Sequence, residues 1–416
     1  MRIKMLTAFC TIVLVPLLAL ADEAVVTLKE LEQEALVHNP VIGMAEKKAE
    51  AAGERKDAAS GMPDPMIGYM LQNVGALGTS TIGKEEMSMQ GFVVTQEIPF
   101  PGKLSTKGNI ARKQAEQLTE NARETRLRVL DELRKAYYEY YLAHRSLQIL
   151  EETKELMKNL QRIAETRYAT GQGNQQDVLR AQLEVSMLLD RIAEQAQKKE
   201  SRSAEINAIA GRDPLAPLGR PADVFPTSLA MSLDEMSEMA QSHSPMLAAR
   251  QRMVEQSEYE LSMSRREYLP DMSVSVGRFT RDGLQDVWQA SIELKVPLYF
   301  WNKSTGVRAA TAELSSARYD LEATKLMTLA RVRDLYSSAK TSEHHLHLYE
   351  TGIIPQARLA LQSATSNYQV GKTDFLGLLD SQSLLLKYQL MEQEELVNLH
   401  KTLSMIGEMT GEEHEK

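Results

Sequence analysis

Two short runs in this 416-residue chain hold residues that could do chemistry. Gly78 to Glu85 reads GTSTIGKE, close to the phosphate-binding phrase G-x-x-x-x-G-K-[ST]. In that phrase backbone N–H groups cradle phosphates and the final hydroxyl holds a metal ion. Glu85 stands where the hydroxyl belongs, and the run joins two strand-like segments and opens no helix, so it reads as a surface loop. Glu343 to His347 reads EHHLH and sets His344 and His347 on one helix face at i, i+3, with His345 between them. This is not the H-E-x-x-H zinc signature, and spacing identifies no carboxylate or thiol partner, so the run reads as a solvated helix face. The other five histidines are scattered, with no Ser or Cys recognisably beside them. Met66, Met70, Met87 and Met89 lie in or beside strand-like segments, and Met231, Met236, Met239, Met246, Met253 and Met263 in a helical stretch. Thioethers suit Cu(I), but they also fill irregular packed interfaces, and filling is the reading adopted. No catalytic constellation emerges: the expectation is no enzyme, no cofactor and no resident metal.

Elsewhere the chain speaks of location. Arg2 and Lys4, an apolar run from Met5 to Leu20, and Ala19-Leu20-Ala21 before Asp22 form the pattern of a secretory signal peptide over 1–21. The run is short and broken by Pro16, which argues against a membrane anchor. Cleavage after Ala21 would remove Cys10, the sole cysteine, so neither disulfides nor thiol chemistry is expected. Losing Arg2 and Lys4 takes the formal net charge from -9 to -11. An acidic exported chain without a Lys/Arg block is a poor partner for nucleic acid. No later run approaches the ~20 apolar residues of a membrane helix. A membrane is reachable only through strands.

Between Asn109 and Thr170 there is neither Gly nor Pro, and Leu130, Leu133, Tyr137, Tyr140, His144 and Leu147 step by threes and fours. Roughly 60 helical residues would extend ~90 Å: a rod, or two helices end to end. A turn at Gly171-Gln172-Gly173-Asn174 and a second breaker-free run to Ala210 complete an antiparallel helical hairpin. A stretch with Pro214, Pro217, Pro221 and Pro226 reads as a connector. The second half then replays the first. YATGQGNQQDVLRAQ from Tyr168 returns as YQVGKTDFLGLLDSQ from Tyr368, aligning Gly171 with Gly371, Leu179 with Leu379 and Gln182 with Gln382. His38-Asn39-Pro40 returns as His243-Ser244-Pro245, Pro63-Asp64 as Pro270-Asp271, and Ile98-Pro99-Phe100 as Val296-Pro297-Leu298. Ordered landmarks at nearly constant offset predict an internal duplication: signal peptide 1–21, first repeat 22–211, Pro-rich connector 212–230 and second repeat 231–416. The fold class expected is mainly α with β (α+β), built from long antiparallel helical hairpins plus four strands.

The strand candidates are Asp64 to Asn73, Met87 to Ile98, Asp271 to Thr280 and Asp286 to Leu298. In the last, Trp288, Ala290, Ile292, Leu294 and Val296 alternate with Gln289, Ser291, Glu293 and Lys295. Each is about as long as a tilted membrane strand. A small soluble sheet laid over the helices satisfies the same periodicity. In lipid, however, an open edge leaves backbone groups unpaired, and four strands are fewer than the eight of the smallest bacterial barrels. On that reading several copies must share one wall.

The paired repeats, the QEIPFPGK phrase at Gln96 to Lys103, and IIPQARLAL with YQVGKTDFLGLLDSQ together resemble the TolC-type outer-membrane efflux family, over nearly the whole mature chain. Their phrasing is most similar to its heavy-metal efflux branch. The resemblance implies a homotrimer in the cell outer membrane with a long periplasmic extension. Each chain gives four strands to a shared 12-stranded transmembrane β-barrel, continued by a trimeric α-barrel. It implies an adaptor (membrane fusion) protein docked at the periplasmic tips, around Tyr168, Gly171, Gly173, Tyr368 and Gly371, and an inner-membrane pump as energy source. It also implies acidic residues at the entrance, Asp177 and Asp380 here; Gly377 stands where the family has a further acid. The expected activity is passive export, of metal cations by the branch resemblance, with drug or polypeptide export as the same-fold alternative. From other classes, a soluble periplasmic coiled-coil scaffold leaves the apolar strand face unexplained, and a hydrolase lacks a nucleophile and base.

Overall fold

Asn39 and Ser244 each precede a proline, and at each the chain ends one helix and starts the next. The computed structural model describes residues 25–75 and 80–411; the signal-peptide reading, with Gly78 and Thr79 of the loop, lies outside them. α1 (Leu28–His38) opens on a capping box in which Thr27 and Glu30 satisfy each other's backbone N–H. The Asn39 side chain accepts from the N–H groups of Val41 and Ile42, and Pro40 starts α2 (Pro40–Ala59) where no N–H is missed. Two strands follow, β1 (Met66–Gln72) and β2 (Met89–Ile98), and then α3 (Lys103–Ala169), a single helix of 67 residues. It begins earlier than the breaker-free run suggested, immediately after Gly102, and at 1.5 Å per residue extends ~100 Å. α4 (Gln175–Ile209) returns antiparallel.

The same order recurs. α5 (Leu233–His243) starts on the Ser232/Glu235 capping box, α6 (Pro245–Arg266) on Pro245, and β3 (Asp271–Thr280) and β4 (Val287–Lys295) come next. The counterpart of α3 differs. α7 (Phe300–Leu348) passes through one π-helical turn, Tyr349–Ile353, into α8 (Ile354–Gln369). Pro355 follows that turn; its missing N–H and ring clash with the carbonyl four back give a physical reason for local widening. α9 (Phe375–Thr410) closes the chain.

All four strands join one antiparallel sheet in the order β1-β2-β3-β4, so the halves meet at β2–β3. Strand ends trim to the prolines: β1 starts after Pro65 and β4 stops before Pro297, since Pro cannot donate to a ladder. Buried side chains run along the rod in successive clusters, one of Leu133, Tyr137, Tyr140 and Ile206, another of Met236, Val332, Leu335 and Leu399, and a third toward the hairpin ends. Tyr137 pins the connector, donating to the Val26 carbonyl at 3.2 Å and accepting from the Ala222 N–H at 3.0 Å. Burial pushes its phenol above the usual range. Among the described residues no helix is long and apolar enough to cross a membrane.

Candidate functional site

The repeated phrases are the turns at the far ends of both hairpins. At the first, the Gly171 N–H reaches the Tyr168 carbonyl at 3.0 Å and the Gln172 N–H reaches Arg167 at 2.8 Å. At the second, Gly371 bonds Tyr368 at 3.1 Å and Lys372 bonds Asn367 at 2.8 Å. Both are Schellman closures, with φ of 75° at Gly171 and 76° at Gly371, a region open to glycine at no steric cost. Gly173 is there for space: a Cβ would lie 3.0 Å from the Arg167 Cβ.

Arg167 joins the two turns. Its Nη1 donates to the carbonyls of Tyr368 (2.7 Å) and Gln369 (3.1 Å), and its Nη2 to Gln172 (2.9 Å). The guanidinium also lies 5.0 Å from the Tyr368 ring centroid. A cation here meets the last carbonyls of α8, at the negative end of that helix. The sequence offered one signal: the duplication breaks at this position, with Asn367 opposite Arg167.

The matched tyrosines part company. Tyr368 is 2% exposed, packed on Phe375, with its hydroxyl 3.5 Å from Asp177 Oδ2, longer than a full hydrogen bond. Burial first, and the Asp177 charge second, push its phenol up to about 12. Tyr168 is 48% exposed. Of the two acids expected together, Asp177 is half-buried in the first turn of α4 facing Tyr368, whereas Asp380 is exposed on α9. Asp374, which spacing did not single out, caps α9 by accepting from the Gly377 N–H at 3.0 Å. A Cβ on Gly377 would lie 3.2 Å from that carboxylate.

At the opposite end the sheet is amphipathic. Tyr69, Phe92, Arg278 and Trp288 are paired across the four strands in one row. On the same face Ile67, Val94, Val276, Ile292 and Leu294 are exposed, Ile292 at 71%. The reverse face carries Thr95, Ser273, Ser275, Ser291, Glu293 and Lys295. Lys103, starting α3, is 6% exposed and ties rod to sheet: its Nζ meets Asp271 Oδ1 at 2.8 Å and the Leu269 carbonyl at 3.0 Å.

The other candidates resolve plainly. His345 Nδ1 lies 3.4 Å from Glu395, a carboxylate 50 residues away that spacing could not supply, and Ser342 donates to the same carboxylate. Among the described residues no group of three or more His, Cys, Asp or Glu is placed to hold a metal ion. Ser80 to Ser88 form turns between β1 and β2.

A model of the family described as outer membrane efflux protein matches residues 31–212 and 236–404. The cobalt-zinc-cadmium resistance protein CzcC of Cupriavidus metallidurans is 20% identical over 324 residues, 76% of this chain and 77% of that protein. The structure of the outer-membrane channel OprN superposes with a TM-score of 0.82 at 18% identity, covering 92% of this chain and 89% of that one. CusC, described for its folding and transmembrane channel formation, superposes at 0.79 and 16% identity, covering 92% and 91%. At these identities the structural likeness establishes a shared fold.

Proposed function

The chain belongs to the outer membrane efflux protein family, and on that premise we propose that it is the passive exit duct of a tripartite system expelling heavy-metal cations. One observation carries the duct reading: a rod ~100 Å long ends in a four-stranded sheet with an exposed apolar face and two free edges. In lipid those edges must be paired by further copies, and three copies, the number the family resemblance implies, give the twelve strands of one closed wall. Their apolar face meets the outer-membrane lipid and the polar face the lumen. The rods form the periplasmic α-barrel, closed or opened at its tips. Kinship with a cobalt-zinc-cadmium resistance protein favours metal cations as cargo.

At the tips, Tyr168, Gly171, Gly173 and Gly371 form the surface on which a periplasmic adaptor docks, with buried Tyr368 supporting it from beneath. Asp177 and Asp380 from three chains place six carboxylates around the entrance, which would attract cations and repel anions in a narrow mouth. The duct itself does no chemistry; an inner-membrane pump supplies the driving force through the adaptor.

Deleting the gene and comparing tolerance of cobalt, zinc, cadmium, copper and silver with tolerance of dyes and antibiotics tests the cargo. Loss of metal tolerance alone is expected. Intact metal tolerance with new drug sensitivity would transfer the reading to multidrug export.

A further inference from the structure

The two hairpins of the sheet are the same hairpin written twice. Shift β1 by 207 residues and β2 by 198, and all seven of their paired positions fall on paired positions of β3 and β4. Met66 opposite Thr95 becomes Ser273 opposite Glu293, and Gln72 opposite Met89 becomes Phe279 opposite Val287. Between them lies one joint of a different kind, β2 with β3, where the second strand of the first hairpin meets the first strand of the second in nine pairs, from Gln90–Thr280 to Ile98–Met272. The chain makes this joint once and leaves its counterpart open: β4 and β1 are both edges.

We propose that β4 of one copy pairs with β1 of the next in the register of the β2–β3 joint, so that the repeat itself dictates the seam. This rests on the closed-wall reading above and adds what that reading leaves free. Applying the same shifts to the nine pairs sets Trp288 opposite the partner's Asn73, Ser291 opposite the partner's Met70, Ile292 opposite the partner's Tyr69, and Val296 opposite the partner's Pro65. The chemistry agrees without having been used. Ala290, Ile292 and Leu294 face the partner's Leu71, Tyr69 and Ile67 on the apolar side, while Gln289 and Ser291 face the partner's Gln72 and Met70 on the other. A slip of one residue would bring opposite faces together. A slip of two keeps the faces and changes every partner, so only the internal joint decides between registers.

Cysteine pairs can read that choice. Directly opposed residues of antiparallel strands have Cα atoms about 4.5–5.5 Å apart, inside the disulfide range. A two-residue slip adds ~7 Å along the strand, a separation of about 8 Å that a disulfide cannot bridge. In full-length protein carrying Cys10→Ser, M70C/S291C and Y69C/I292C are expected to give covalent trimers on non-reducing gels of isolated membranes. The slipped pairs G68C/S291C and Q72C/S291C should give at least tenfold less. T95C/S275C, which joins β2 to β3 within one chain, reports that the sheet is folded and oxidised. A slipped pair that cross-links in place of the matched ones would overturn the register and leave the closed wall standing. No inter-chain product from any pair, with T95C/S275C formed, would overturn the closed wall as well.

Discussion

Replacing Arg167 by Ala removes a side chain that bridges the first hairpin turn and the second. It makes three hydrogen bonds to carbonyls, at 2.7, 3.1 and 2.9 Å, and one cation–π contact at 5.0 Å. A charge-assisted bond in a protected site contributes about 1.5–3 kcal/mol. This guanidinium is only half-buried, so water recovers much of that on release and the discounted total is about 2–4 kcal/mol. At ~1.4 kcal/mol per decade, local opening of the turns becomes roughly 30- to 700-fold more frequent. Amide exchange at 166–174 and 367–376 should accelerate by that factor, while the protected middle of α3 around Leu133 keeps its rate. In planar bilayers the same variant should open more often. Arg167→Lys should recover part of the protection, because an ammonium reaches one carbonyl and lacks the planar fork. Exchange within twofold of the parent at both segments would refute the clamp.

Gly171→Val and Gly371→Val each force a β-branched residue into the left-handed region, at a cost of about 1–2 kcal/mol. The second should be worse, since its Cβ would lie 3.3 Å from Arg167 Nη2. Adaptor cross-linking and metal tolerance check both, and unchanged values would remove the turns from the docking surface. Asp177→Asn with Asp380→Asn should lower the cation-to-anion permeability ratio in bilayer reversal potentials; an unaltered ratio places neither acid at the entrance. Burial raises the Glu408 carboxyl above the usual range, and Asp131 and Glu124 add to it against Lys135 and Arg128. A raised acid contributes stability that is complete below its ordinary value and is lost as pH rises through its folded value. Glu408→Gln should therefore raise the melting temperature at pH 8 and leave it nearly unchanged at pH 4. A fall at pH 8 would contradict the assignment.

What spacing alone established here is local. Alternation from Trp288 to Val296 marked a strand and its apolar side, and the breaker-free stretch ending at Thr170 marked a long helix closed by a glycine turn. The strand and the turn are each decided within a few residues, by pleat or turn sterics, so a reader of sequence can see them. The ends that Pro65 and Pro297 set for β1 and β4, and the unbroken run of α3, came from the structure. The duplication added that each device occurs twice, and that four strands are too few to seal themselves in lipid.

Tertiary structure decided where the copies stop being equal. Tyr168 and Tyr368 stand at matched positions, yet only the second is enclosed, because Arg167, 201 residues before it, crosses from the other turn. One long helix in the first half faces a π-interrupted one in the second. The meeting of β2 with β3 sets a register that neither repeat contains by itself. Such choices belong to contacts between segments far apart in the chain, where the energy lies in burial and in pairing across the gap, and no short window of sequence holds both partners at once.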